Sequence, residues 1–156
     1  MRVLVAAPRS RLDAFVRATS AALSPEHATC SGFAHDASRD PTIELPHRVF
    51  SERSAWVVLI QPRREDPATL DAVRGFGARI VVWFEVEDEA ATERVSRARR
   101  RWLAHAADVV LAADVVAAAD AVDRHGRAAR VVGGEAFESA LRDAVVTWPG
   151  GALGLA

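Results

Sequence analysis

Residues 77–114, GARIVVWFEVEDEAATERVSRARRRWLAHAADVVLAAD, constrain the fold more than any other part of the chain. An apolar run leads into an acidic turn, a charged helical segment and a second apolar run. Short apolar runs without polar alternation are strands covered on both faces, and parallel sheets with helical crossovers provide that cover. The flanking sequence repeats the pattern. Residues 2–7 (VLVAA closed by Pro8), 28–34, 55–61, 79–84, 107–112 and 128–132 read as strands.

Helical spacing fills the gaps between these runs. Ser10 is expected to cap a helix to about Leu23, with Leu12, Phe15, Val16, Ala22 and Leu23 on one stripe and Thr19 interrupting it. Asp13 stands three residues after Ser10, like a shortened capping box. A further helix is expected over 67–76, where Leu70, Val73 and Phe76 are three apart and Gly75 and Gly77 close it. Others follow Glu89, span 114–125, and span 136–146 with Phe137, Leu141 and Val145 four apart. Residues 35–52 show no clean period and contain Pro41 and Pro46, so an irregular connection with a short strand near 48–50 is expected. Its His35, Asp36, Asp40, Glu44 and His47 read as ordinary loop composition. The fold class that follows is α/β: a Rossmann-like three-layer sandwich with a mostly parallel sheet of about six strands. One domain is expected over 1–147, with a loose C-terminal tail over 148–156.

Composition excludes more than it assigns. The 20 basic residues are all arginine against 21 acids, for a net charge of −1. That balance gives no field for nucleic acid or a membrane surface, so neither is expected as a partner. Without lysine there can be no lysine Schiff base, no phosphate-loop lysine and none of the lysine that receiver phosphorylation needs. Cys30 is the single cysteine, which rules out a disulfide framework or Cys-rich zinc site. The short apolar N-terminus is neither a signal peptide nor a span, and a cytoplasmic location is expected. No G-x-S-x-G elbow or G-x-G-x-x-G loop is present, and no cofactor or metal is expected.

Open parallel sheets bind ligands at the C-terminal edge of their strands. That edge carries Arg9, Ser10 and Arg11 after the first strand, and Arg63 and Arg64 after the 55–61 strand. It also carries Glu85, Glu87 and Asp88 after the 79–84 strand, Asp114 after the next, and Gly133, Gly134 and Glu135 after the last. Arginines beside a helix N-terminus can take a phosphate or carboxylate, and mixed signs suit sugars or nucleotides. Solvated loop residues are the competing reading. The run RARRRW is read as a solvated helix face whose late arginines complement the helix dipole.

From QPRRED through GGEAF, about residues 55–137, the succession of elements resembles the N-terminal, acceptor-side half of GT-B glycosyltransferases, particularly the CgeB-like group. Trp83 with Glu87 and Asp88, then Asp108, then Gly126 hold the matching places. The resemblance implies an acceptor-side module and a sugar or nucleotide ligand. It also implies that these residues alone do not transfer sugar, and that a partner chain or a homodimer supplies the donor-binding half. The glycine-rich loop that many such enzymes carry after the first strand is missing here. A receiver-like regulatory or scaffolding domain without phosphorylation is the alternative, with an exposed apolar face near Trp102 or Trp148 as its expected mark.

Overall fold

The computed structural model describes residues 1–61, 67–85, 107–113, 130–131 and 136–148. Six strands form one sheet: β1 (Arg2–Ala7), β2 (Thr29–Ala34), β3 (Trp56–Ile60), β4 (Arg79–Phe84), β5 (Val109–Ala112) and β6 (Arg130–Val131). They lie in the order β2-β1-β3-β4-β5-β6, and every pairing is parallel. This is the flavodoxin-like form of the doubly wound sheet, with its topological switch between β1 and β3. The helices are α1 (Arg9–Ala22), α2 (Pro41–Glu52), α3 (Pro67–Gly75) and α4 (Phe137–Val146), with a 3₁₀ turn at Ser24–Glu26.

Strand side chains alternate between faces, so each run supplies two cores. Val3, Val5, Ala7, Trp56, Val58, Ile60, Val81, Trp83 and Leu111 pack under α1 and α4. Leu4, Ala6, Val57, Leu59, Ile80, Val82 and Phe84 pack under α2 and α3. This explains why the sequence lacks polar alternation. Gly32 lets α1 lie close on β2, since a Cβ there would stand 3.1 Å from Leu12. Arg142 Nε donates to Ala22 O at 2.9 Å, placing a cation on the carbonyl end of α1 and tying α4 to it.

Four expectations need correction, the last of them at Trp148. Residues 41–52 form a helix, not an irregular connection with a strand near 48–50. Pro41 sits in the first turn, where its missing N–H costs nothing, and Asp40 caps the helix by accepting from Thr42 N at 3.1 Å. Pro46 removes one helical hydrogen bond and is buried beside Leu45 and Val49. Nor is the composition of 35–47 that of an ordinary loop, since His35 is buried and Asp40 is the cap. Ser10 does not cap α1. The helix starts at Arg9 behind Pro8, with no side-chain cap, so no Ser10–Asp13 box forms.

Thr19 is fully buried on the α1 stripe, and its hydroxyl finds no partner. The end of α3 follows the expected glycine logic: Gly77 N donates to Arg74 O, Ala78 N to Val73 O, and Gly77 holds φ +89°. That is a Schellman end. Trp148 is not an exposed apolar face but half-buried, edge-on to Trp56 with Arg79 over its ring. Trp102 lies outside the described residues, as do the helices expected after Glu89 and over 114–125. So does residue 149 onward. No helix among the described residues is long and apolar enough to cross a membrane.

Candidate functional site

The switch point between β1 and β3 lies at the C-terminal edge, where doubly wound sheets bind ligands, and the first turn of α1 and the end of β4 flank it. Arg11 stands in that turn. Its Nη1 donates to Glu85 Oε2 and its Nη2 to Glu85 Oε1, both at 2.6 Å. Glu85 follows β4, so the pair reaches over the end of β3. A bidentate guanidinium–carboxylate contact is among the strongest side-chain pairings and fixes both groups in one plane. The partners are 40% and 27% exposed, so solvent still reaches them.

Trp83 explains why Glu85 stays in place. Its ring is buried under α4, edge-on to Phe137 at 5.0 Å, and its Nε1 donates to Glu85 Oε1 at 3.1 Å. The Arg11 hydrogen bond holds the Glu85 carboxyl below its ordinary pKa; partial burial opposes this, and the Trp83 hydrogen bond and the Arg11 charge add to it. The Glu85 hydrogen bond likewise raises the Arg11 guanidinium, against partial desolvation. Both charges are therefore permanent near neutral pH. The Arg11 guanidinium also lies over the Phe15 ring, 4.8 Å from its centroid.

Gln61 forms the floor after β3. It is buried and holds a left-handed backbone at φ 47°, uncommon for a residue with a Cβ. Its backbone N donates to Trp83 O at 2.9 Å, and its Nε2 donates to Glu85 O at 3.1 Å. Its Oε1 is buried without a hydrogen-bond partner. On the far side of β3, buried His35 contacts Ile60 O through Nε2 at 3.2 Å; the carbonyl accepts, so that nitrogen carries the proton. Asp36 Oδ1 accepts from Arg9 N at 2.8 Å and occupies the N-terminal end of α1.

The predicted site residues thus divide. Arg9, Ser10, Arg11 and Glu85 come together around the switch. The structure adds Asp36, Gln61 and Trp83, which sequence reasoning had not placed there. Arg63, Arg64, Glu87, Asp88, Asp114, Gly133, Gly134 and Glu135 lie outside the described residues. Asp108 sits at the start of β5, on the opposite edge, where its carboxylate accepts from Ile80 N and Arg74 Nη2. That role is structural, extending the β4–β5 pairing. Among the described residues, no three His, Cys, Asp or Glu side chains converge as metal ligands would.

Two of the expected anion groups at this edge, among the described residues, already hold carboxylates of the protein's own. Asp36 takes the α1 amide and Glu85 takes Arg11. At Arg11 or at the first α1 amide, a phosphate would have to displace a carboxylate. A neutral polar ligand would not, because the bound pair still offers unused guanidinium N–H donors and carboxylate lone pairs. No family model and no curated protein sequence matches this chain.

Proposed function

We propose that this domain binds a neutral polar ligand, sugar-like in its chemistry, at the C-terminal edge of the sheet, as the acceptor-side module of a glycosyltransferase-like assembly. In this reading the chain is not catalytic alone, and a partner chain or second copy completes the reacting cleft. The Arg11–Glu85 pair carries the proposal: it spans the switch point, is rigidly supported by Trp83, and has no net charge. Paired charges of this kind present donors and acceptors to hydroxyl groups without selecting phosphate. The resemblance of residues 55–137 to GT-B acceptor halves agrees with that chemistry.

The test is a thermal-shift series with simple glycans, nucleotide sugars, nucleotides and inorganic phosphate. A ligand at a hundred times its dissociation constant stabilises by about 2.7 kcal/mol. The expected result is a shift with a glycan that disappears in Arg11→Ala and in Glu85→Ala. Stabilisation by phosphate or nucleotides alone would overturn the neutral-ligand reading.

A second reading, a receiver-like interaction domain without phosphorylation, draws on the strand order, which receivers share. Its mark would be self-association or partner binding in sedimentation that Arg11→Ala leaves intact.

A further inference from the structure

The opposite, N-terminal edge of the sheet holds a cleft of about 560 Å³ between the ends of α2 and α3. That volume falls within the usual range for small-molecule pockets. Val49, Phe50, Arg53, Ser54, Phe76 and Gly77 are among its lining residues.

Both helices end here in the same way. At α2, Arg53 N donates to Phe50 O and Ser54 N to Val49 O, which repeats the Schellman end of α3. The left-handed position that Gly77 fills in α3 is filled in α2 by Arg53, at φ 54°. Arginine is a poor residue for that conformation and glycine a good one, so the backbone gives no reason for this choice.

The surroundings supply one. Arg53 is exposed and has no carboxylate partner among the described residues. Neighbouring charges are already satisfied: Arg48 pairs with Glu52, Arg74 pairs with Asp108, and Arg2 Nη1 donates to Glu52 O at 2.9 Å. At the cleft, Phe50 and Phe76 are 62% and 50% exposed, with ring centroids 5.1 Å apart. Ser54, in the wall, is 4% exposed, and its Oγ is buried with no hydrogen-bond partner. An unmatched cation, an unmatched buried hydroxyl and two uncovered aromatic rings therefore share one cavity.

We propose that this cleft is a binding site for a small aryl carboxylate, distinct from the C-terminal edge. The aromatic body lies against Phe50 and Phe76, and the carboxylate accepts from the Arg53 guanidinium. Ser54, in the cleft wall with its hydroxyl unmatched, is the second donor within this proposal. A neutral hydrophobe would leave Arg53 and Ser54 unmatched, and a bare anion would leave the rings uncovered.

The test uses 2-naphthoate, its neutral isostere 2-naphthamide, and acetate, titrated by calorimetry and by amide chemical shifts. Saturable naphthoate binding is expected, with shifts confined to residues around Phe50, Arg53 and Gly77. The amide should bind at least tenfold more weakly, and acetate should not bind measurably. Arg53→Gly should remove the preference for naphthoate over the amide while its melting temperature equals or exceeds that of the parent. Ser54→Ala should weaken naphthoate without loss of stability, and Arg17→Ala, on the other face of the sheet, should leave binding unchanged. Equal binding of naphthoate and naphthamide, no binding of naphthoate, or full naphthoate affinity in Arg53→Gly would each overturn the proposal.

Discussion

The two edges of this sheet handle charge in opposite ways. At the C-terminal edge, Arg11 meets Glu85, Asp36 meets the first amide of α1, and Gln61 bonds the Glu85 backbone. At the N-terminal edge, Arg53 has no counter-charge among the described residues and two phenylalanines face solvent. Parallel sheets conventionally bind at the first edge, yet here Arg11 and Glu85 are closed on each other while Arg53 at the second stays open among the described residues. Topology says where a crevice forms, and side-chain pairing says what can enter it.

The largest expected effect comes from the support beneath the closed edge. Trp83 fills the core between β4 and α4 and also holds Glu85. Trp83→Ala should cost about 3–5 kcal/mol in urea unfolding, through lost burial and the cavity left behind. Trp83→Phe keeps most of the apolar contact but removes the Nε1 donor. Its loss should be about 1–2 kcal/mol. If both substitutions cost the same, the indole nitrogen rather than packing would hold this edge together.

Glu85→Gln tests the closure directly. It should cost about 1–2 kcal/mol, since it ends a charge-assisted, partly buried pairing. It should also release Arg11, so that inorganic phosphate raises the melting temperature of the variant and not of the parent. The pH dependence has a definite sign. The folded pKa of Glu85 is depressed, so its contribution is complete above the ordinary carboxylate value near 4.3 and is lost as pH falls through the lower folded value. Glu52 adds to the same limb: burial pushes its carboxyl up, but hydrogen bonds from Ser31 and Arg48 and the charges of Arg48 and Arg2 outweigh that. Stability should therefore fall below about pH 4 in the parent, and fall less in Glu85→Gln. An unchanged acid limb in the variant would show that the pair does not couple to folding.

The edges differ equally in how much of them a reader of the sequence could see. β1, β3, β4 and β5 were legible because each is a near-continuous apolar run, whereas β2 (TCSGFA) is small and mixed; the left-handed end of α3 was legible because glycine marks it. α2 was hidden by its prolines, although Asp40 before Pro41, and the spacing of Pro41, Leu45, Pro46 and Val49, carried the signal. Arg11 and Glu85 were both candidates, but their pairing was not visible. They are 74 residues apart, and only the strand order brings them together. Asp36 on the α1 amide depends in the same way on β2 lying beside β1. The cleft at the N-terminal edge left no trace, because an arginine in a left-handed helix end looks like any surface arginine.

That last point yields the smallest effect and the sharpest contrast. Gly77 and Arg53 occupy equivalent positions at the two Schellman ends, so exchanging their residue types should move stability in opposite directions. Gly77→Ala places a Cβ at φ +89°, where no atom lies within 4 Å to clash, so the left-handed backbone alone opposes it, and net of the freedom the unfolded chain loses the cost is about 1 kcal/mol. Arg53→Gly relieves the same strain but gives the unfolded chain more freedom, leaving a net gain of about 0.5 kcal/mol. Paired urea titrations of the two variants can resolve changes of this size when slopes are shared. A gain at position 53 would mean that the native residue holds this helix end at a cost to the fold, as expected of a residue kept for a ligand. A loss there would mean that the arginine stem packs across the cleft and supports the helix end itself, and the open edge would then be structural.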